Sequence, residues 1–231
     1  MSAAAAPDAI AARLPPDGLT SVVVVAADSG PGLLDCTASV LASTAPVELI
    51  VVDNASHDGC SDAVATRWPR DARITIVRNE RNLGFGTGCN RGAAVARGDA
   101  LLFLNPDCVV AADAVARLRA ALEAGNGLLG VTIVDADGAV DGASRRRDPL
   151  LRRALMTMTG LARLEADRPR FAGVALPPRT PAPELEPVDA VSGALMLLPR
   201  AVFDRVGGFR VGLSEDMEWC QRAIAAGYRI G

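Results

Sequence analysis

The chain has 231 residues, half of them apolar, and a formal net charge of −3. This length supports one substantial domain with its own core, and the slightly acidic balance argues against nucleic acid as a partner. The five cysteines form no CxxC pair and His57 is the single histidine, which argues against zinc clusters and disulfide frameworks. We expect the cysteines to be small buried residues in a reducing, cytoplasmic compartment.

The first residues are rich in alanine and proline and carry Asp8, with no basic end followed by an apolar core. They therefore do not resemble a secretory signal, and we expect residues 1–18 to be a flexible lead-in. A single domain is expected from 19 to 231. No apolar run reaches the roughly 18 residues that a membrane span needs.

Short runs rich in β-branched residues then alternate with stretches of helical spacing. The runs predict strands at 21–25, 48–52, 73–77 and 100–104, and the spacing predicts helices at 33–41, 61–67, 88–97 and 113–124. This alternation predicts an α/β fold with a mostly parallel sheet covered by helices on both faces. Ligands of such sheets bind beyond the carboxyl ends of the strands.

Polar residues follow each predicted strand. Asp28, Asp53, the 79–82 stretch and Asn105-Pro106-Asp107 stand at these ends. An aspartate at position 53 is suited to accept a hydrogen bond from a base or a ribose, or simply to form a turn. Pro106 fixes the direction of the chain before Asp107. A divalent cation that also binds a substrate diphosphate needs only one such carboxylate from the protein.

The glycine-rich stretch 82–92 offers glycines at 84, 86 and 88. It does not complete the GxGxxG pattern, because Arg91 stands where the last glycine belongs and Gly92 comes one residue late. A dinucleotide-dependent dehydrogenase is therefore disfavoured. The loop leads into a predicted helix, so its backbone N–H groups remain candidates for approaching a phosphate.

After residue 124 we predict a strand at 128–134, a hairpin turn at Asp137-Gly138 and a variable excursion at about 145–187. The excursion carries an arginine run and a predicted helix at 150–164. That helix has two interpretations, a membrane-surface element and a solvated face. A strand at 188–200 and a short helix closed by glycine follow.

Glu215 and Asp216 open the last predicted helix. Acids in a first turn often serve only to cap free N–H groups. A carboxylate at the mouth of a diphosphate site is also suited to take a proton from an attacking hydroxyl.

Four stretches, in this order, resemble the family 2 glycosyltransferases with the GT-A fold. They are "VVDNASHDGC" at 51–60, "NLGFGTGCNRG" at 82–92, "LLFLNPD" at 101–107 and "GGFRVGLSED" at 207–216. The likeness is greatest to the bacterial branch with rhamnosyltransferases and covers about residues 20–143 and 188–231. It implies a Rossmann-like, nucleotide-binding sheet flanked by helices.

The resemblance also implies a reaction. A sugar would pass with inversion from a nucleotide diphosphate (UDP, dTDP or GDP) to a hydroxyl of a saccharide or lipid-linked acceptor, in cell-surface polysaccharide or glycolipid synthesis. Such an enzyme works in the cytoplasm or peripherally at the inner face of the plasma membrane. The implied sites are Asp216 as general base with Glu215 beside it, Asp107 for Mg²⁺ or Mn²⁺, and Asp28, Asp53, Asn82, Gly84 and Asn105 for the nucleotide.

Two features separate this chain from the usual family pattern. Ala26-Ala27-Asp28-Ser29 replaces a common "VTYNS" stretch, and no histidine follows the last helix. The sequence stops where a new strand is predicted to begin, so we expect either a truncated sequence or a protein that lacks an acceptor-binding tail. The alternatives are a non-catalytic sugar-nucleotide-binding relative and a nucleotidyltransferase, although the first loop lacks the basic residues that the latter favours. The oligomeric state is left open.

Overall fold

The computed structural model describes residues 18–122, 126–135, 137–140, 145–147, 151–165, 168–174, 185–212 and 214–231. The predicted lead-in therefore lies outside the described residues, apart from Gly18. The strands are β1 (Thr20–Ala26), β2 (Val47–Asp53), β3 (Ile74–Arg78), β4 (Ala100–Leu104), β5 (Asn126–Leu128), β6 (Arg145–Arg146), β7 (Ala190–Val191), β8 (Leu195–Pro199) and β9 (Arg229–Ile230).

The helices of the described ranges lie between these strands. They are α1 (Gly32–Leu41), α2 (Cys60–Arg67), α3 (Phe85–Val95), α4 (Ala114–Ala121), α5 (Leu151–Met158), α6 (Arg200–Val206) and α7 (Glu215–Ala225). Two short 3₁₀ helices, Leu161–Leu164 and Pro169–Phe171, follow α5.

The described residues form a five-stranded sheet in the order β3-β2-β1-β4-β8. The first four strands are parallel, and β8 joins β4 in the antiparallel sense. In this register Asp53 lies beside both Ala26 and Arg78, so the carboxyl ends of β1, β2 and β3 share one edge. The predicted α/β fold with a mostly parallel sheet is confirmed.

Alternate residues of the central strands face two separate cores. Val23, Val25 and Phe103 pack with residues of α3, α6 and α7 on one face. Val22 and Val24 pack with residues of α1, α2 and α4 on the other. Because both faces are covered, these strands read as continuous apolar runs instead of alternating ones.

Several predicted boundaries are wrong. The predicted strand at 128–134 is reduced to β5, after which Leu129 makes a single bridge to Leu197. The predicted helix at 150–164 stops at Met158 because Gly160 adopts a left-handed conformation with φ +74°. The predicted strand at 188–200 splits into β7 and β8, which belong to different sheets.

Two other expectations, the hairpin turn and the buried cysteines, are confirmed. Gly138 forms a hairpin turn in which its N–H bonds the Asp135 carbonyl and Val134 pairs with Val140. All five cysteines are free thiols; four are buried and Cys108 is half-buried. No helix in the described ranges combines the length and the apolar character that crossing a bilayer requires.

The helical glycines allow α3 to lie close to the sheet. A Cβ atom at Gly88 would lie 2.7 Å from Cγ1 of Val25, and one at Gly92 would collide with Val23. These two positions therefore need glycine for helix–sheet contact. The helix begins at Phe85, three residues before the predicted start.

We predict that Gly88→Ala destabilises the protein. Overpacking against Val25 costs about 1–3 kcal/mol, which exceeds the gain of up to about 1 kcal/mol from better helix propensity. Urea unfolding measures the difference. Gly212→Ala is the control, because a Cβ atom there meets nothing within 4 Å. An unchanged or higher stability of Gly88→Ala would contradict the close packing.

Candidate active site

The loops after β1 and β4 meet at the edge where the parallel strands end. A Cβ atom at Gly32 would lie 3.6 Å from the Cα atom of Asp107, which shows how near the two loops lie. Because β2 and β4 flank β1 on opposite sides, this is the point where strand order reverses. Open α/β sheets bind their ligands at such a point.

Asp28 links the loop after β1 to the loop after β2 through hydrogen bonds. Its carboxylate accepts backbone N–H groups of His57 at 2.6 Å and Asp58 at 3.3 Å, and Asp58 in turn accepts the N–H of Gly30 at 2.7 Å. Asp28 itself is exposed and has a positive φ of 49°. His57 is also exposed.

Asp53 is buried at the end of β2 and already has two partners. One carboxylate oxygen accepts the N–H of Ser56 at 2.9 Å, and the other pairs with the guanidinium of Arg78 at 3.0 Å. Arg78 also reaches Asp62 at 2.5 Å. The turn predicted for Asp53 is thus present, and an ion pair accompanies it.

Asn54 organises the glycine-rich loop. Its amide group donates to Asn82 Oδ1 at 2.8 Å and to the Gly84 carbonyl at 3.2 Å. Its own oxygen accepts the Leu83 N–H at 3.0 Å and the Asn79 side chain at 2.9 Å. Sequence reasoning did not assign Asn54 a role, although a buried amide directly after a strand-ending aspartate was a usable signal.

Glu215 caps a helix other than its own. Its carboxylate accepts the N–H of Gly86 at 2.5 Å in the first turn of α3, and the N–H of Gly212 at 3.3 Å. A negative charge at a helix N-terminus is favourable. The capping role considered for this acid is therefore real, but it acts on α3.

Asp216 is held by three donors and keeps 14% of its side chain exposed. One oxygen accepts the Gly193 N–H at 3.0 Å and lies 3.4 Å from the Arg146 guanidinium. The other accepts the N–H of Met217 at 2.9 Å. The Gly193 N–H donates to the Asp216 side chain and not to a neighbouring strand, which explains why the predicted strand at 188–200 breaks at this residue.

A cavity of about 410 Å³ opens between these elements. Asn105, Glu215 and Asp216 line it, together with Arg146, Phe85 and Gly193. The Asn105 N–H donates to the Ala194 carbonyl at 2.9 Å, which ties the end of β4 to the cavity wall. The other predicted site residues, Asp28, Asp53, Asn82, Gly84 and Asp107, are not part of this lining.

Arg146 is the charged residue of the cavity lining that sequence reasoning missed. The arginine run was assigned to a variable excursion, and nothing in its local pattern pointed to a carboxylate 70 positions away. The structure brings this arginine to Asp216 through β6, which pairs with β7 immediately before Gly193.

Asp107 is exposed after Pro106, and its carboxylate accepts a hydrogen bond from the Cys108 thiol at 3.8 Å. Burial and then the Asp107 charge raise the pKa of Cys108 to about 11. Burial is also the main cause that raises the pKa of Cys36 to about 12. The carboxylate oxygens of Asp107 are the candidate metal ligands at this point.

No group of three or more histidine, cysteine, aspartate or glutamate side chains in the described ranges is placed to hold a metal ion. A cation at Asp107 would accordingly need further ligands from its substrate. Mg²⁺ and Mn²⁺ suit this arrangement, since they are commonly bound by one or two carboxylates, substrate phosphates and water.

Comparisons with known proteins agree with this geometry. The family described as "Glycosyl transferase family 2" matches residues 21–175. The N-acetylglucosaminyl-diphospho-decaprenol L-rhamnosyltransferase of Mycobacterium tuberculosis is 30% identical over 215 residues, which cover 81% of this chain and 64% of that protein. The chain thus spans less than two thirds of this relative's length.

Solved glycosyltransferases share the fold. The mannosyltransferase PcManGT from Pyrobaculum calidifontis, in complex with GDP-Man and Mn²⁺, superposes with a TM-score of 0.61 at 19% identity over 92% of this chain and 54% of that one. TarS 1-349 of S. aureus, in complex with UDP-GlcNAc, gives 0.62 at 16% identity over 91% and 54%. The expected GT-A architecture is confirmed.

We predict that Glu215→Ala destabilises the protein by about 1–3 kcal/mol, because the N–H groups of Gly86 and Gly212 lose a charged acceptor. Glu215→Gln should recover part of this loss, since an amide oxygen also accepts. Urea unfolding is the measurement, and Glu80→Ala, which removes an exposed carboxylate, is the control. Equal stability of Glu215→Ala and the parent chain would contradict the cap.

Proposed function

The chain belongs to glycosyl transferase family 2, and we propose that it transfers a sugar from a nucleotide diphosphate to a hydroxyl acceptor in cell-surface polymer synthesis. The observation that carries this proposal is the Asp216 carboxylate, which lines a cavity of about 410 Å³ together with Asn105 at the end of β4. Pockets of this size accommodate small ligands. Family membership favours sugar transfer over the nucleotidyltransferase alternative.

We propose that Asp216 is the general base. The Gly193 N–H and the Arg146 guanidinium orient its carboxylate. The acceptor hydroxyl gives its proton to Asp216 while its oxygen forms a bond to the anomeric carbon. The bond from that carbon to the diphosphate breaks, and its electron pair leaves with the phosphate oxygen. This single displacement inverts the anomeric configuration.

Arg146 has a second task in this proposal. Glu215 and Asp216 bring two carboxylates to the cavity, and Arg146 brings a positive charge to the same wall. A guanidinium group binds phosphate oxygens with good geometry. It is therefore suited to stabilise the diphosphate that departs during the reaction.

A divalent cation, Mg²⁺ or Mn²⁺, fits the donor set as a cofactor. Asp107 is the residue proposed to hold it, since this exposed carboxylate follows β4 at the edge where the parallel strands end. The bound ion would supply positive charge to the leaving diphosphate. The Mn²⁺ in the PcManGT complex supports this choice.

The nucleotide is proposed to lie over the loops that follow β1, β2 and β3. Asp28, Asp53, Asn82 and Gly84 stand in these loops, and Asn105 connects them to the cavity. UDP, dTDP and GDP are the candidate carriers; PcManGT and TarS are solved with GDP-Man and UDP-GlcNAc, respectively. Asn54 makes this surface rigid through its four hydrogen bonds.

A saccharide on a lipid diphosphate is the proposed acceptor. The name of the mycobacterial relative describes such an acceptor, an N-acetylglucosaminyl-diphospho-decaprenol. We accordingly propose that the protein works peripherally at the inner face of the plasma membrane. We also propose that residues 19–231 form one domain, with the 145–187 excursion supplying Arg146.

We predict that nucleotide binding depends on Asp107 and a divalent metal. Calorimetric titration with UDP, dTDP and GDP, with Mn²⁺ and with EDTA, identifies the nucleotide. Asp107→Asn should weaken metal-dependent binding by about tenfold or more, on the scale of lost metal-site contacts. Asp113→Asn is the control, since Asp113 is an exposed acid outside the site. Equal binding by Asp107→Asn in Mn²⁺ would overturn this metal assignment.

We predict that Asp216→Asn keeps nucleotide affinity but lowers kcat by about 10²–10⁴-fold, the usual contribution of a general base. Transfer from the matching nucleotide sugar to an N-acetylglucosaminyl-diphospho-prenol is the assay. Asp204→Asn, an exposed acid on α6, is the control. Nucleotide binding by the parent chain without any transfer would instead identify a non-catalytic relative.

A further inference from the structure

The excursion carries a charge opposite to that of the chain as a whole. Eight arginines and three acids lie between residues 145 and 171, for a formal charge of +5, whereas the whole chain has −3. Arg163, Arg168 and Arg170 are exposed. The positive charge is therefore concentrated on one short stretch, where these three arginines are exposed while Arg146, Arg147 and Arg153 form ion pairs.

Large apolar side chains are exposed on the same stretch. Leu155, Met158, Leu161 and Leu164 recur every three residues along α5 and the following 3₁₀ helix, with exposed fractions of 51%, 86%, 37% and 44%. A solvated face needs none of these side chains. Clustered exposed apolar residues among polar ones mark an interaction surface.

This stretch is attached firmly beside the candidate active site. The Arg147 guanidinium lies 2.6 Å from the Glu165 carboxylate and donates to the Gly173 carbonyl at 3.2 Å. Arg153 pairs with Asp189 at 3.3 Å, one residue before β7. The same excursion carries Arg146, which pairs with Asp216. The stretch therefore has a set position relative to the catalytic cavity.

We propose that residues 151–165 and 168–171, named here the basic–apolar segment, dock on the surface of an anionic lipid bilayer. Exposed leucine and methionine side chains suit the boundary of the acyl chains, and interspersed arginines suit anionic headgroups. The combination of exposed apolar and basic side chains favours a bilayer over an acidic protein, because an acidic protein would need only the arginines for binding. The segment would hold the cavity at the surface where a lipid-linked acceptor lies.

The docking proposal rests on the proposed function, because a lipid-linked acceptor is what would make binding to a bilayer useful. Its test is independent, because vesicle binding requires no nucleotide and no turnover. A chain that binds vesicles without transferring sugar would contradict the proposed function alone. A chain that transfers sugar to a soluble acceptor analogue without binding vesicles would contradict the docking surface alone.

The experiment is flotation of the full chain with phosphatidylcholine vesicles, with and without 30% phosphatidylglycerol. We expect binding to the anionic vesicles only, and loss of that binding at high salt. The double variant Arg163→Glu/Arg168→Glu should lower the bound-to-free ratio at least about tenfold, because each arginine near an anionic surface contributes about fivefold. Leu155→Asp/Met158→Asp should lower it similarly.

The matched controls are Arg117→Glu, a charge reversal at an exposed arginine of α4, and Val95→Asp, at an apolar residue with 47% exposure on α3. Both should float like the parent chain, and circular dichroism should show every variant folded. Equal binding to both vesicle types, no binding to either, or equal loss in the controls would overturn the proposal. Retention on immobilised polyglutamate without flotation would also overturn it and assign the surface to an acidic protein.

Discussion

The hydrogen bond from the Gly86 N–H to the Glu215 carboxylate joins the two halves of the candidate site. It connects α3, which follows the glycine-rich loop, with α7, which carries Asp216. A helix N-terminus needs acceptors for its free N–H groups, and here a distant part of the chain supplies one. The placement of Asp216 relative to Asn105 and the loops therefore depends on this contact.

The glycines of α3 serve this arrangement. Gly88 and Gly92 let the helix lie directly on β1, and Gly86 leaves room for the Glu215 carboxylate, since a Cβ atom at Gly86 would lie 2.8 Å from its oxygen. A larger residue at any of the three would push α3 away from the sheet or from α7. The resemblance of this stretch to a dinucleotide fingerprint thus has a packing explanation.

The arginine-rich excursion connects the site with the outer surface. At one end Arg146 contacts the candidate base, and beyond it Arg147 and Arg153 hold the basic–apolar segment in place. In the proposed function, Arg146 would serve catalysis and the basic–apolar segment would serve acceptor delivery, and both belong to the same excursion. This proximity matters because the proposed acceptor is confined to a membrane.

The sequence by itself determined the α/β class, the four parallel strands and the edge where the polar loops gather. These features follow from local patterns, namely apolar runs, helical spacing and the polar residues at strand ends. Asn105 was singled out at the end of a predicted strand, and Glu215 and Asp216 at the start of a predicted helix. Their roles came from the resemblance to family 2 glycosyltransferases, and the structure brings all three to one cavity.

Only the tertiary structure decided how these residues are held. The contacts of Asp216 with Gly193 and Arg146 span 23 and 70 positions, and that of Glu215 with Gly86 spans 129. No local period encodes such pairs, because irregular loops and two-residue strands set their paths. The break between β7 and β8 and the capping role of Glu215 follow from these long-range hydrogen bonds, which form only when the chain is folded.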